Sequence, residues 1–145
     1  MNMRTNETDF WAKWLLAVST GVALFGILLV ILPGWTRQFF SLLLYGNTGY
    51  LDAFDVEALK YISLTHAVLG SCLAGWGIVL FILVKKMVHA HLKTVRMIVA
   101  VSVLCWFIPD TAFSLLYGFW PNAVLNSGIL VLYAIPLFAL HKTER

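Results

Sequence analysis

Residues 61–86 read YISLTHAVLGSCLAGWGIVLFILVKK, an apolar run from Tyr61 to Val84 closed by the lysine pair Lys85 and Lys86. No Asp, Glu, Lys or Arg interrupts it before Lys85. As a helix it would measure about 36 Å, more than the roughly 30 Å of a hydrocarbon core. Working outward, a similar run occupies 14–32, a third runs from Val95 to Gly118 around Pro109-Asp110, and a fourth begins at Pro121. The spans are therefore predicted at 12–32, 61–84, 95–118 and 121–140. Hydrophobic residues make up 61% of the chain and charged residues 12%. A soluble domain of 145 residues leaves too much surface in water to hide that composition. The fold class is all-α, a single four-helix transmembrane bundle over residues 1–145. The first run follows Glu7 and Asp9, is too long for a signal core and lacks a small-residue cleavage site, so it reads as an uncleaved helix.

Orientation follows from the basic residues. Four spans place Arg4, Lys13, Lys85, Lys86, Lys93, Arg96, Lys142 and Arg145 on one side, leaving Arg37 and Lys60 on the other. The positive-inside rule makes the richer side cytoplasmic, with both termini there. Trp11 and Trp14 at one end, and Trp35 and Trp120 at the other, fit interfacial belts. The expected location is the inner membrane of a bacterium.

The long outer connection, 33–60, contains Trp35 to Tyr45, too short to span and read as an interfacial helix, with a re-entrant segment as the alternative. Asp52 or Asp55 is placed to cap the second span. The halves also resemble each other. Phe40-Ser41-Leu42-Leu43-Leu44-Tyr45-Gly46 matches Phe113-Ser114-Leu115-Leu116-Tyr117-Gly118, and 66–71 matches 122–127. Two parallel helical-hairpin repeats are the expected origin, which would set His66 opposite Asn122 and Gly70 opposite Asn126.

Polar groups inside the spans carry the functional reading. Asp110 is the most informative, because a central carboxylate costs roughly 2.5–3.5 kcal/mol on insertion scales and needs a protein partner. Asp110, Ser114 and Tyr117 share a face of the third span, with Trp106 and Phe107 one turn earlier. Asn122, Asn126 and Tyr133 align on the fourth, and Ser63, His66, Gly70, Ala74 and Gly77 form a small-residue stripe on the second. His66 and Asn126 are expected near the depth of Asp110. Pro109 and Pro136 remove backbone donors and leave the carbonyls of Cys105 and Leu132 without their helical partners.

Other chemistries find little support. Cys72 and Cys105 lie within apolar runs and read as filler, a mid-membrane contact between them being the alternative. His89 and His91 sit among lysines and do not complete a metal site. No phosphate-binding loop, nucleophile elbow, haem or zinc motif is present. The net charge of +3 belongs to topology and anionic lipid rather than nucleic acid. No metal or cofactor is expected.

The proline that closes the first span, the polar start of the second and the acid in the third resemble the DoxX-like proteins and neighbouring four-helix membrane families of bacteria. That resemblance implies, as a partner class, quinone-linked oxidoreductase complexes. A sterol-isomerase-like pocket is also suggested by His and Asp in four helices, but its carboxylates on the early helices are missing. The leading expectation is a non-enzymatic protein binding a lipid-like or small amphipathic ligand in an outward-facing intramembrane pocket. Asp110, His66, Asn122, Asn126, Ser114, Tyr117 and Trp106 are its candidate residues. The alternatives are an accessory subunit docking on a membrane-protein partner or second copy, and an enzyme using Asp110 and His66 as an acid–base pair.

Overall fold

The computed structural model describes residues 3–143; Glu144 and Arg145 of the basic tail lie outside the described residues. The chain is all-α, with helices α1 (Met3–Ile31), α2 (Pro33–Tyr45), α3 (Val56–Met87), α4 (Leu92–Leu116) and α5 (Trp120–Thr143), and a 3₁₀ turn at Tyr50–Ala53. Four of them, all but α2, are long and apolar enough to cross a membrane. Each buries one narrow stripe. On α4 it is Val95, Val99, Val103 and Ser114, and on α5 Ala123, Asn126, Tyr133 and Leu140, at intervals of three, four or their sums. Large apolar side chains such as Leu116, Phe138 and Leu64 face outward, which suits lipid and not water.

The helices overrun the predicted spans for local reasons that hydropathy does not register. The Asp55 carboxylate accepts from the amide of Ala58 at 2.8 Å, and Glu57 pairs with Lys60 at 2.7 Å. Together they carry α3 beyond its apolar run to Val56. Asp55, rather than Asp52, is therefore the cap. Helix α4 continues through Pro109 and ends where Phe119 N–H bonds the Ser114 carbonyl at 2.7 Å and Gly118 N–H the Leu115 carbonyl at 3.3 Å. Gly118 adopts φ 78° and Gly46, after α2, φ 69°. Gly46 is the cap of α2 and Gly118 lies one residue beyond the α4 cap Tyr117, both in a left-handed conformation that a Cβ would strain. Each of the two similar sequence blocks thus has a positive-φ glycine after its helix.

Packing divides the chain into two compact units. One is Gly21–Gly77; the other comprises the segments on either side of it. In the Gly21–Gly77 unit, α1 and α3 touch backbone to backbone. A Cβ on Gly26 would lie 2.5 Å from the Ala74 nitrogen and the Gly70 carbonyl, and one on Gly70 2.5 Å from the Gly26 carbonyl. The Gly70–Ala74 part of the α3 stripe is thus a packing face against α1.

Only Leu32 separates α1 from α2. Pro33 at the start of α2 forces the break, since the preceding residue is driven from helical geometry, and Leu32 has φ −123° and ψ 62°. Helix α2 then runs back along α1. Thr36 reaches the Leu29 carbonyl at 3.4 Å and Phe39 meets Phe25 edge-on at 5.8 Å, so the register descends α1 as it advances along α2. Along α3 it runs in the same direction, with Arg37 on Ser63 and Phe40 on His66. Thr36 and Ser41 are fully buried.

Candidate functional site

In the other unit, α4 and α5 form an antiparallel hairpin, closed near its turn by polar side chains. The Asn122 amide donates to Asp110 Oδ1 at 3.1 Å and to Ser114 Oγ at 2.9 Å. Ser114 Oγ donates to the Asp110 carbonyl at 2.8 Å, while its separation from Asp110 Oδ1 is a long 3.5 Å. Four residues further along α5, Asn126 donates to Thr111 Oγ1 at 3.3 Å. Ser114 and Asn126 are buried, and Asp110 and Asn122 half-buried. The α4 and α5 faces expected from helical spacing therefore meet. Among the described residues no cation pairs with Asp110, so neutral donors hold it.

The remaining candidates have other surroundings. Tyr117 is 66% exposed and stacks on Phe113 at 4.3 Å, outside the hydrogen-bonded cluster. Trp106 is half-buried and meets Phe107 edge-on. His66 belongs to the Gly21–Gly77 unit, where its ring lies flat on Phe40 at 4.6 Å. Thr111, the partner of Asn126, is not among the residues picked from sequence. Its position beside Asp110 would have been the only signal.

Proline 136 shows how the fold repairs a missing donor. The Leu132 carbonyl, deprived of its helical partner, accepts from the Trp14 indole N–H of α1 at 3.0 Å. Trp14 is thus a helix clip as well as a residue of the expected interfacial belt. The residue after Leu132, Tyr133, is fully buried. Near the chain reversal between α3 and α4, His89 Nε2 lies 3.6 Å from Asp9 Oδ1. Cys72 and Cys105 are free and exposed, each facing outward.

A cavity of about 550 Å³ lies toward the other end of the hairpin, between the N-terminal half of α4 and the C-terminal half of α5. Lys93, Arg96 and His141 line one end of it, Tyr133 the middle, and Leu104 and Leu130 the far end. Its walls are almost wholly apolar beyond the basic end. None of the seven residues selected from sequence lines it. From Lys93 to Leu104 the groove measures about 16 Å along the helix, close to half the hydrocarbon thickness. No family model, curated protein or solved structure matches the chain.

Proposed function

We propose that this is a non-enzymatic membrane protein that binds a lipid-like amphiphile, with the ligand's chain in the α4–α5 groove and an anionic head at Lys93, Arg96 and His141. The observation that carries this reading is the groove itself: apolar along its length, basic at one end, and about one leaflet deep. The ligand class is the one expected from sequence, but its place is the basic end of the hairpin rather than the Asp110 end. With the positive-inside assignment the head would lie at the cytoplasmic surface of a bacterial inner membrane. The Asp110 cluster then has a supporting role, keeping α4 and α5 in register while the groove stays open. In this reading Asp110 serves as the acceptor that Asn122 engages through Oδ1.

Native mass spectrometry of protein extracted in neutral detergent tests the proposal. Anionic amphiphile should be retained by the unmodified chain and lost from Ala134→Trp, which fills the groove, and from Lys93→Gln with Arg96→Gln. Retention unchanged in both variants would refute it. Recovery of a stoichiometric membrane protein in place of lipid would favour the accessory-subunit reading.

A further inference from the structure

The folded-back helix α2 brings a cation into an apolar setting. Arg37 is half-buried, and its Nη1 donates to Ser63 Oγ at 2.8 Å, while Ser63 passes its own proton to the Leu59 carbonyl at 2.8 Å. A guanidinium offers five N–H donors, and this contact engages one. Among the described residues no carboxylate pairs with Arg37. The Glu57 carboxylate is taken by Lys60 and that of Asp55 by the amide of Ala58.

One turn along both helices from the Arg37–Ser63 contact, the His66 ring is parallel to Phe40, with 16° between the planes. The Nδ1 of His66 is sealed and has no hydrogen-bond partner. A buried acceptor left alone is tolerated better than a buried donor. The favoured neutral tautomer therefore leaves Nδ1 as the bare lone pair and carries the proton on Nε2. His66 as a whole is half-buried, and Nε2–H is its available donor.

We propose that Arg37 and the Nε2–H of His66 form a site for a compact oxyanion, a phosphate or carboxylate, at the end of α3 remote from Lys85 and Lys86. Arg37 supplies charge and a planar pair of donors matched to two oxygens. His66 supplies a third donor, Ser63 fixes the guanidinium, and Phe40 fixes the imidazole plane. The anion could belong to a lipid head or be free in solution, since the donors are the same for both. Ser63 lies only a few residues inside the apolar run, a depth that water and headgroups both reach. The site occupies the Gly21–Gly77 unit and does not depend on the α4–α5 groove.

The test uses the full chain, labelled with ¹⁵N-histidine, in maltoside micelles that contain no anion of this class. Inorganic phosphate is titrated in one arm, phosphatidylglycerol in a second, and sodium chloride at matched ionic strength in a third. Phosphate, phosphatidylglycerol or both should shift the His66 Nε2–H resonance saturably, and chloride should not. A response to the lipid alone identifies a headgroup site, and a response to phosphate alone a site for a free anion. Arg37→Gln should weaken the response about tenfold or more, the scale of a lost hydrogen bond from a charged donor. His66→Phe, which keeps the stack on Phe40, should reduce phosphate- or lipid-dependent thermal stabilisation without unfolding the protein. No saturable shift in either arm, or an equal one in Arg37→Gln, would overturn the proposal. Should Arg37→Gln fail to fold, His66→Phe decides: undiminished ligand-dependent stabilisation overturns it.

Discussion

The Gly21–Gly77 unit and the α4–α5 hairpin both join long apolar helices, and they are fastened by opposite means. In the first, side chains are removed: Gly26 and Gly70 let two backbones meet where a methyl group would not fit. In the second, side chains are added, and Asn122, Asp110 and Ser114 tie the helices by hydrogen bonds. Lipid tails are as apolar as leucine, so neither pair gains from hiding grease from water. Close van der Waals contact and polar bonding are the forces that remain. The difference teaches that packing of the first kind tolerates no added volume, whereas the second kind depends on which atoms accept.

The contrast breaks most readily at the crossing. Gly70→Leu should destabilise the protein by about 3 kcal/mol or more, because its Cβ alone meets the Gly26 carbonyl and Leu29 at forbidden distances. Gly75→Ala, where nothing lies within 4 Å, should change stability by less than about 0.5 kcal/mol. Unfolding midpoints in mixed SDS micelles compare the two, and equal losses would deny the close approach. Next in size is Asp110→Leu, expected to cost about 1–3 kcal/mol by stranding the Asn122 N–H that Asp110 accepts, while Ser114 keeps the other. Asp110→Asn keeps an acceptor at the same place and should cost less than half of that. A similar loss in both would mean that charge, rather than acceptance, holds the hairpin.

Smaller effects sharpen the same picture. Trp14→Phe preserves the ring but strands the Leu132 carbonyl, at about 1 kcal/mol, and the loss should disappear in Pro136→Ala, whose restored amide bonds that carbonyl. Asn126→Leu should cost only about 0.6 kcal/mol, the average for a polar contact between membrane helices. A double-mutant cycle with Thr111→Val isolates that contact, and zero coupling would remove it from the hairpin's fastening.

Reading the chain as sequence reached the four spans because their signal is one-dimensional: an apolar run of sufficient length needs no knowledge of neighbours. It also reached the α3 stripe and the polar faces of α4 and α5, since helical spacing alone aligns Gly70 with Ala74 and Asp110 with Ser114. It could assign the stripe to packing without knowing that Gly26 was its counterpart. The open carbonyl of Leu132 followed from Pro136, but the indole that fills it lies 118 residues away in sequence. The α4–α5 groove was hidden for a related reason. Ordinary apolar residues line most of it, and only the rotation of two helices gathers them beneath Lys93 and Arg96. Arg37, counted in the sequence as a topology signal, acquired its surroundings only when α2 folded back.

That fold-back also orders events in time. The contacts of α2 with its neighbouring long helices reach Phe25 and Leu29, synthesised before it, and Ser63 and His66, synthesised after it. Reversal at Leu32 can therefore place α2 against α1, but its other side stays uncovered until α3 has entered the bilayer. During that interval Arg37 has no Ser63 to hold it. The full set of α2 contacts thus requires a chain that has reached Ser63 and His66.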